Sequence, residues 1–246
     1  MLYINVLLAL MIIVSFLGAI VLHELGHVLV AAWLGDHTAQ AEGRQTLSLS
    51  AHLDPVGTLM CVLLAFQPIL GVGFGWGKPV KPDPWKMRVG ANAGVLIVAW
   101  GGMLFSLLIG LLVSVLIRFI APYMMQNVIL THILQLILVF AIVNISLTLF
   151  NLLPIYPLDG YQIVYALLPS RQAAQFARSA PYGPFIILAL FFFLPFLARL
   201  AGLGGFPLFE LPSYILLGAQ SLVSLALGPT HFANNFLFVS ILYGQH

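Results

Sequence analysis

Three stretches of almost uninterrupted apolar sequence, at about 4–34, 91–117 and 133–153, are each at least as long as the roughly 20-residue helix that crosses a bilayer. Two shorter runs, at about 184–200 and 211–228, carry Pro195 and Gly218, residues that membrane helices tolerate, and are expected to span as well. Only 7% of the residues are charged, against about 25% in a soluble domain. A water-soluble enzyme is thereby excluded, and the lipid bilayer is one partner of the chain. The basic residues are scattered, so nothing points to nucleic acid. No cleaved leader is expected, because the first basic residue is Arg44 and the first apolar run continues without a cleavage-type segment. Cys61 is a lone cysteine in an apolar run and reads as a packing residue.

Between the first two long runs the pattern breaks up. Residues 59–66 are apolar for too short a length to cross, and Gln67 and Pro68 lead into Gly71-Val72-Gly73-Phe74-Gly75-Trp76-Gly77. This predicts a re-entrant segment at about 56–74. The fold class expected is therefore an all-α polytopic membrane protein with about five transmembrane helices, plus a re-entrant segment carrying a short extended or β element.

Chemistry concentrates at His23-Glu24-Leu25-Gly26-His27, inside the first run. On a helix, residues four apart share a face, so both imidazoles reach one metal while Glu24 points to its open side. The alternative is two hydrogen-bonded histidines packed between helices. Three ionisable groups in five membrane positions are costly, which favours the metal reading. Two histidines need a third ligand, and Asp159 is the strongest candidate. It closes Asn151-Leu152-Leu153-Pro154-Ile155-Tyr156-Pro157-Leu158-Asp159-Gly160, where two prolines end the preceding helix. Asp159 would otherwise cap a helix beginning near Tyr161.

His23 to His27 followed at a distance by Asn151 to Gly160 resembles the signature of the site-2 protease family of intramembrane zinc metalloproteases. Ala51-His52-Leu53-Asp54-Pro55-Val56-Gly57-Thr58 and Gly75-Trp76-Gly77-Lys78-Pro79-Val80 are similar to segments of its short bacterial and archaeal branch, which lacks PDZ and CBS domains. The resemblance implies one Zn²⁺ per chain held by His23, His27 and Asp159, with Glu24 as general base. It gives Asn151 a role beside the zinc, aligning substrate or holding the oxyanion, and it implies a transmembrane protein as substrate. One departure is visible: Gly101-Gly102-Met103-Leu104-Phe105-Ser106 stands where the family often has Ala-Gly-Pro-x-x-Asn, placing Met103 and Ser106 at the Pro and Asn positions.

Further expectations follow from spacing. Asn144 and Asn151 are seven apart and share a helix face, so Asn144 is a second candidate for substrate contact, with an interhelical hydrogen bond as the alternative for either. His52 is expected to brace the segment after it. Gly71, Gly73, Gly75 and Gly77 alternate with larger residues, and in a strand that leaves one bare face. On this reading Gly73, Gly75 and Trp76 sit in an extended edge at about 71–80 that pairs with unwound substrate, the alternative being a glycine-lined helix crossing or a plain flexible turn. For the histidines to meet Asp159, the first and third long runs must be parallel, with one crossing between them. Seven basic residues then share a side with the zinc against two opposite, which predicts a cell-membrane protein with its active site toward the cytoplasm. The chain reads as one integral membrane domain, 1–246, with a catalytic core at 4–170 and accessory helices at 171–246. An inactive membrane-protein-binding relative and a metal ion transporter are the competing functions.

Overall fold

A computed structural model describes residues 6–67, 73–203 and 206–228. Its eleven α-helices are α1 (Val6–Trp33), α2 (Thr38–Ala41), α3 (Leu49–His52), α4 (Pro55–Ala65), α5 (Ala91–Met124), α6 (Val128–Asn151), α7 (Asp159–Leu167), α8 (Ser170–Ala177), α9 (Gly183–Leu188), α10 (Leu194–Leu200) and α11 (Leu211–Leu227). Among the described residues, five stretches are long and apolar enough to cross a membrane: α1, α5, α6, a composite Ser170–Leu200 built from α8 to α10, and Pro207–Leu227. The composite is held together by a 3-10 turn at Ala180–Tyr182 and a π-helical turn at Ala189–Phe193. The protein is an all-α, multi-pass membrane protein.

Local chemistry sets the helix ends. Beyond α1, Gly35 takes φ +104°, and the Asp36 and Gly35 amides donate back to Ala31 and Ala32, a left-handed glycine stop. Asp54 caps α4 by accepting from the Val56 and Gly57 amides at 3.0 and 2.8 Å. Asn127 does the same for α6 through Ile129 at 2.8 Å, so that helix begins ahead of the expected residue 133. α5 overruns its expected end at 117, passing through Arg118 and Pro122 to Met124. An exposed arginine near a helix end reaches the interface on its own side chain while the backbone stays helical. At 34 residues, α5 extends about 51 Å, well beyond a hydrocarbon core of about 30 Å.

α1 and α6 are the most enclosed of the spans. Ile12, Phe16 and Ala19 of α1 pack with Leu138, Ala141 and Ile145 of α6, and α5 and α11 close the cluster with Ile117, Ala121, Ala219 and Val223. Small residues let these backbones approach, as at Gly110 of α5 against Ile145. Outward, Leu104, Leu108, Leu112 and Leu116 line one exposed face of α5. A stripe of that kind suits lipid and not water.

α4 and residues 73–77 pack side by side on α1 in opposite directions. Gly73 abuts Ile12, Gly75 abuts Phe16, and Gly77 abuts Ile20 and Glu24. Those α1 contacts are one turn apart, about 6 Å, so 73–77 advances about 3 Å per residue, the rise of an extended chain. Along α4 the order runs the other way, with Cys61 against Gly73 and Gly57 against Gly75 and Trp76. α4, about 16 Å long, goes in and 73–77 returns. A single antiparallel bridge, Leu53 with Gly77, supplies the β element, reinforced by the Lys78 amide donating to the His52 carbonyl at 2.7 Å. Phe74 is clamped between Phe150 of α6 and Phe191 of the π-helical turn, ring centres 5.0–5.2 Å apart.

Candidate metal centre

α1 presents His23 and His27 one turn apart, both buried. Across from them, the chain leaves α6 at Asn151 and is turned by Pro154 and Pro157 into α7. The cap position of α7 is Leu158, not Asp159. As the first helical residue, Asp159 sends its carboxylate away from its own backbone and onto the histidines: Oδ2 lies 3.0 Å from His23 Nε2 and Oδ1 lies 3.2 Å from His27 Nε2. The two Nε2 atoms are 3.1 Å apart. Among the described residues these three side chains form the one cluster able to hold a metal ion.

Outer contacts decide what those atoms are. His27 Nδ1 lies 2.7 Å from the Val98 carbonyl, which can only accept, so Nδ1 carries the proton. A longer contact of 3.3 Å from the Gly102 amide to the same nitrogen is secondary. His27 therefore turns Nε2 toward a carboxylate oxygen and a second imidazole. Asp159 Oδ2 is buried, and His23 Nε2 at 3.0 Å is the polar neighbour it meets among the described residues. Three donor atoms converging in this way need a proton or a metal ion among them. Zinc bonds of about 2.0–2.1 Å in a tetrahedron set ligand atoms about 3.3 Å apart, close to the separations found, and two histidines with a carboxylate are a known catalytic donor set. The residues fit zinc.

His23 Nδ1 lies 3.0 Å from Ser106 Oγ, so the serine at the family's usual asparagine position supplies the polar contact there. Val98, Gly102 and Ser106 are successive turns of one α5 face. Gly102 is required: a Cβ at that position would overlap the His27 ring.

A cavity of about 340 Å³ opens onto the centre, walled by Ile20, Glu24, Trp76, Asn151, Tyr156 and Gln162 among others. Asn151 is buried on that wall, with Nδ2 donating to its own helix at Leu147, 2.9 Å away. Asn144 is not on the wall. Two turns back in the core, it donates to the Phe140 carbonyl at 2.8 Å, and its Oδ1 has no partner among the described residues. Gly73 and Gly75 are also off the wall, because their bare face is filled by Ile12, Phe16, Cys61 and the Gly57 carbonyl. The glycine spacing serves close packing within the chain, and no bare face is left there for a second backbone. Gly71 and Val72 lie outside the described residues. His52, fully buried, donates from Nε2 to the Thr46 carbonyl at 2.7 Å, so its side chain braces the loop before it and not the segment after it. Burial holds its basicity below the usual value, with the Thr46 bond opposing and the Arg44 charge assisting.

One site residue escaped sequence reasoning. Arg44, expected only as a loop charge, is buried with Nη2 3.5 Å from Glu24 Oε2.

Residues 112–194, which include Asn151 and Asp159, match the profile of Peptidase family M50. Over 181 residues the chain is 34% identical to the Bacillus subtilis (strain 168) protein named "Putative zinc metalloprotease YwhC", an alignment covering 73% of this chain and 78% of that relative. The chain belongs to peptidase family M50. Membership of this site-2 protease family accords with the donor set and the multi-pass fold. No solved structure matches the chain.

Proposed function

We propose that this M50 protein is a zinc metalloendopeptidase that cuts peptide bonds within or near transmembrane segments of other membrane proteins, as in regulated intramembrane proteolysis. One zinc ion per chain would be held by His23, His27 and Asp159. The observation that carries this reading is the convergence of two imidazole nitrogens and a carboxylate at 3.0–3.2 Å, with His27 Nε2 directed inward by Val98. Bound zinc would supply a Lewis acid and lower the pKa of water. Glu24, on the cavity wall, accepts a proton from the attacking water at its carboxylate and passes it to the leaving amine. Asn151, facing the same cavity, would hold the developing oxyanion through its side-chain amide.

A transmembrane substrate shields its peptide bonds in helical hydrogen bonds, so it must unwind locally to be cut. Trp76 and the neighbouring residues Gly77, Pro79, Val80 and Lys81 line the cavity, and this stretch, not Gly73 or Gly75, is where substrate backbone would lie. His23 lies about 25 Å along α1 from Val6. Arg44, Lys78, Lys81, Lys86, Arg88, Arg171 and Arg178 lie toward that end of the spans and Arg118 toward the other; Arg199, expected opposite, joins the first group, because it pairs with Glu210 at the start of α11, and α11 runs from the level of Leu149 to that of Arg118. This excess supports a site in the cytoplasmic half of the cell membrane.

The test is to purify the chain, count its zinc, and compare cleavage of a model transmembrane substrate with that by Glu24→Gln. Zinc retained with cleavage lost is expected. Undiminished cleavage in the variant refutes the mechanism.

A further inference from the structure

Arg44 is placed by its backbone. Gly43 takes φ +73° after α2, and the Gly43 and Arg44 amides donate at 3.0 Å to Gln40 and Ala39, a closed helix stop that turns the arginine back over α1. The residue is 4% exposed. Nη1 donates to the Pro79 carbonyl at 2.9 Å, Nη2 donates to the Lys78 carbonyl, and Nη2 pairs with Glu24 Oε2 at 3.5 Å. Nε has no partner among the described residues. A buried guanidinium with an unsatisfied donor is expensive, and packing alone gives no reason to keep one.

The arrangement boxes in one carboxylate. On the far side of Glu24 stands Gly77, where a Cβ would collide with Oε1 and Cγ. Glu24 is thus held between a guanidinium on Oε2 and a bare α-carbon near Oε1. The same guanidinium grips the carbonyls of Lys78 and Pro79, beside the part of the loop that walls the cavity. Its planar fork reaches three acceptors at once, which the single ammonium of a lysine cannot match in geometry.

We propose that Arg44 is a positioning residue that locks the Glu24 carboxylate and the Lys78–Pro79 backbone into one rigid unit, so that base and substrate wall keep a fixed relation. This rests on the reading of Glu24 as general base. A general base works only within hydrogen-bond reach of its proton, and misplacement by about 1 Å costs on the order of a hundredfold in rate.

The test uses the full chain in detergent or liposomes with a model transmembrane substrate, comparing wild type, Glu24→Gln, Arg44→Ala and Arg44→Lys. For Arg44→Ala the expectation is unchanged zinc content, KM within about twofold and kcat lower by about a hundredfold. Guanidinium ion should restore part of that kcat, and sodium at equal ionic strength should not. Arg44→Lys keeps the charge without the fork, and should lose about tenfold in kcat with zinc retained. Wild-type kcat in Arg44→Ala, with Glu24→Gln inactive, overturns the proposal and leaves the Glu24 assignment standing. Full activity in Glu24→Gln overturns both. Should Arg44→Ala fail to fold or to hold zinc, Arg44→Lys decides: wild-type kcat overturns the proposal, and the tenfold loss with zinc bound supports it.

Discussion

His27 Nδ1 donates to the backbone carbonyl of Val98 at 2.7 Å, and this one bond fixes which face of the imidazole is available to a metal. A carbonyl in the third turn of a long helix cannot be altered by changing its own side chain. The histidine's orientation is instead vulnerable where its ring lies on α5, at Gly102.

Gly102→Ala should therefore weaken zinc binding. The added methyl falls on the His27 ring and pushes Nε2 off the centre. Affinity should drop about 10- to 100-fold, the usual cost of disturbing an outer contact of a metal ligand. Competition for zinc against a chelator of known affinity measures it, and an unchanged dissociation constant would count against the geometry.

Ser106→Ala removes the partner of His23 Nδ1. A smaller loss of zinc affinity, about tenfold, is expected, with Ser106→Asn restoring much of it because an amide can also accept from the ring. The same competition assay checks both variants.

Asp159→Asn exchanges a charged ligand for a neutral, weaker one and should lower zinc occupancy. Equal zinc in wild type and variant would mean that another residue is the third ligand. Asn151→Ala, by contrast, should keep its zinc and slow turnover by up to about a hundredfold, seen as a fall in kcat with metal content constant.

The parts of the site that were legible in the sequence rest on local periodicity. Four-residue spacing puts His23 and His27 on one helix face whatever surrounds them, and the prolines at 154 and 157 mark where α6 must end and Asp159 can turn inward. What escaped was long-range. No sequence period links Arg44 to Glu24; the contact depends on Gly43 ending α2 and on the loop folding back over α1. The Gly73 and Gly75 spacing was visible, but which neighbour fills the bare face is settled by α1 and α4. The Val98 contact is made by backbone, which no residue type announces. The extra turns of α5 went unread because a charged residue inside a run looks like a boundary, although an arginine side chain near the interface does not end a helix.

Topology can be checked by labelling. Asp36 accepts from the amides of Thr38 and Asp83 at 3.0 and 2.7 Å, tying the loop after α1 to the loop before α5. With Cys61 replaced, single cysteines at Gln40 and Asp83 should react from the same, cytoplasmic, side of sealed vesicles. Opposite labelling would break the antiparallel arrangement of α4 and 73–77.

The central claim is that His23, His27 and Asp159 hold a catalytic zinc, and zinc K-edge absorption on the purified full-length chain tests it most directly. The account predicts one zinc per chain with nitrogen and oxygen ligands at about 2.0–2.2 Å and the outer scattering of imidazole. A chain that binds no zinc, or a zinc–sulfur distance of about 2.3 Å, would contradict it.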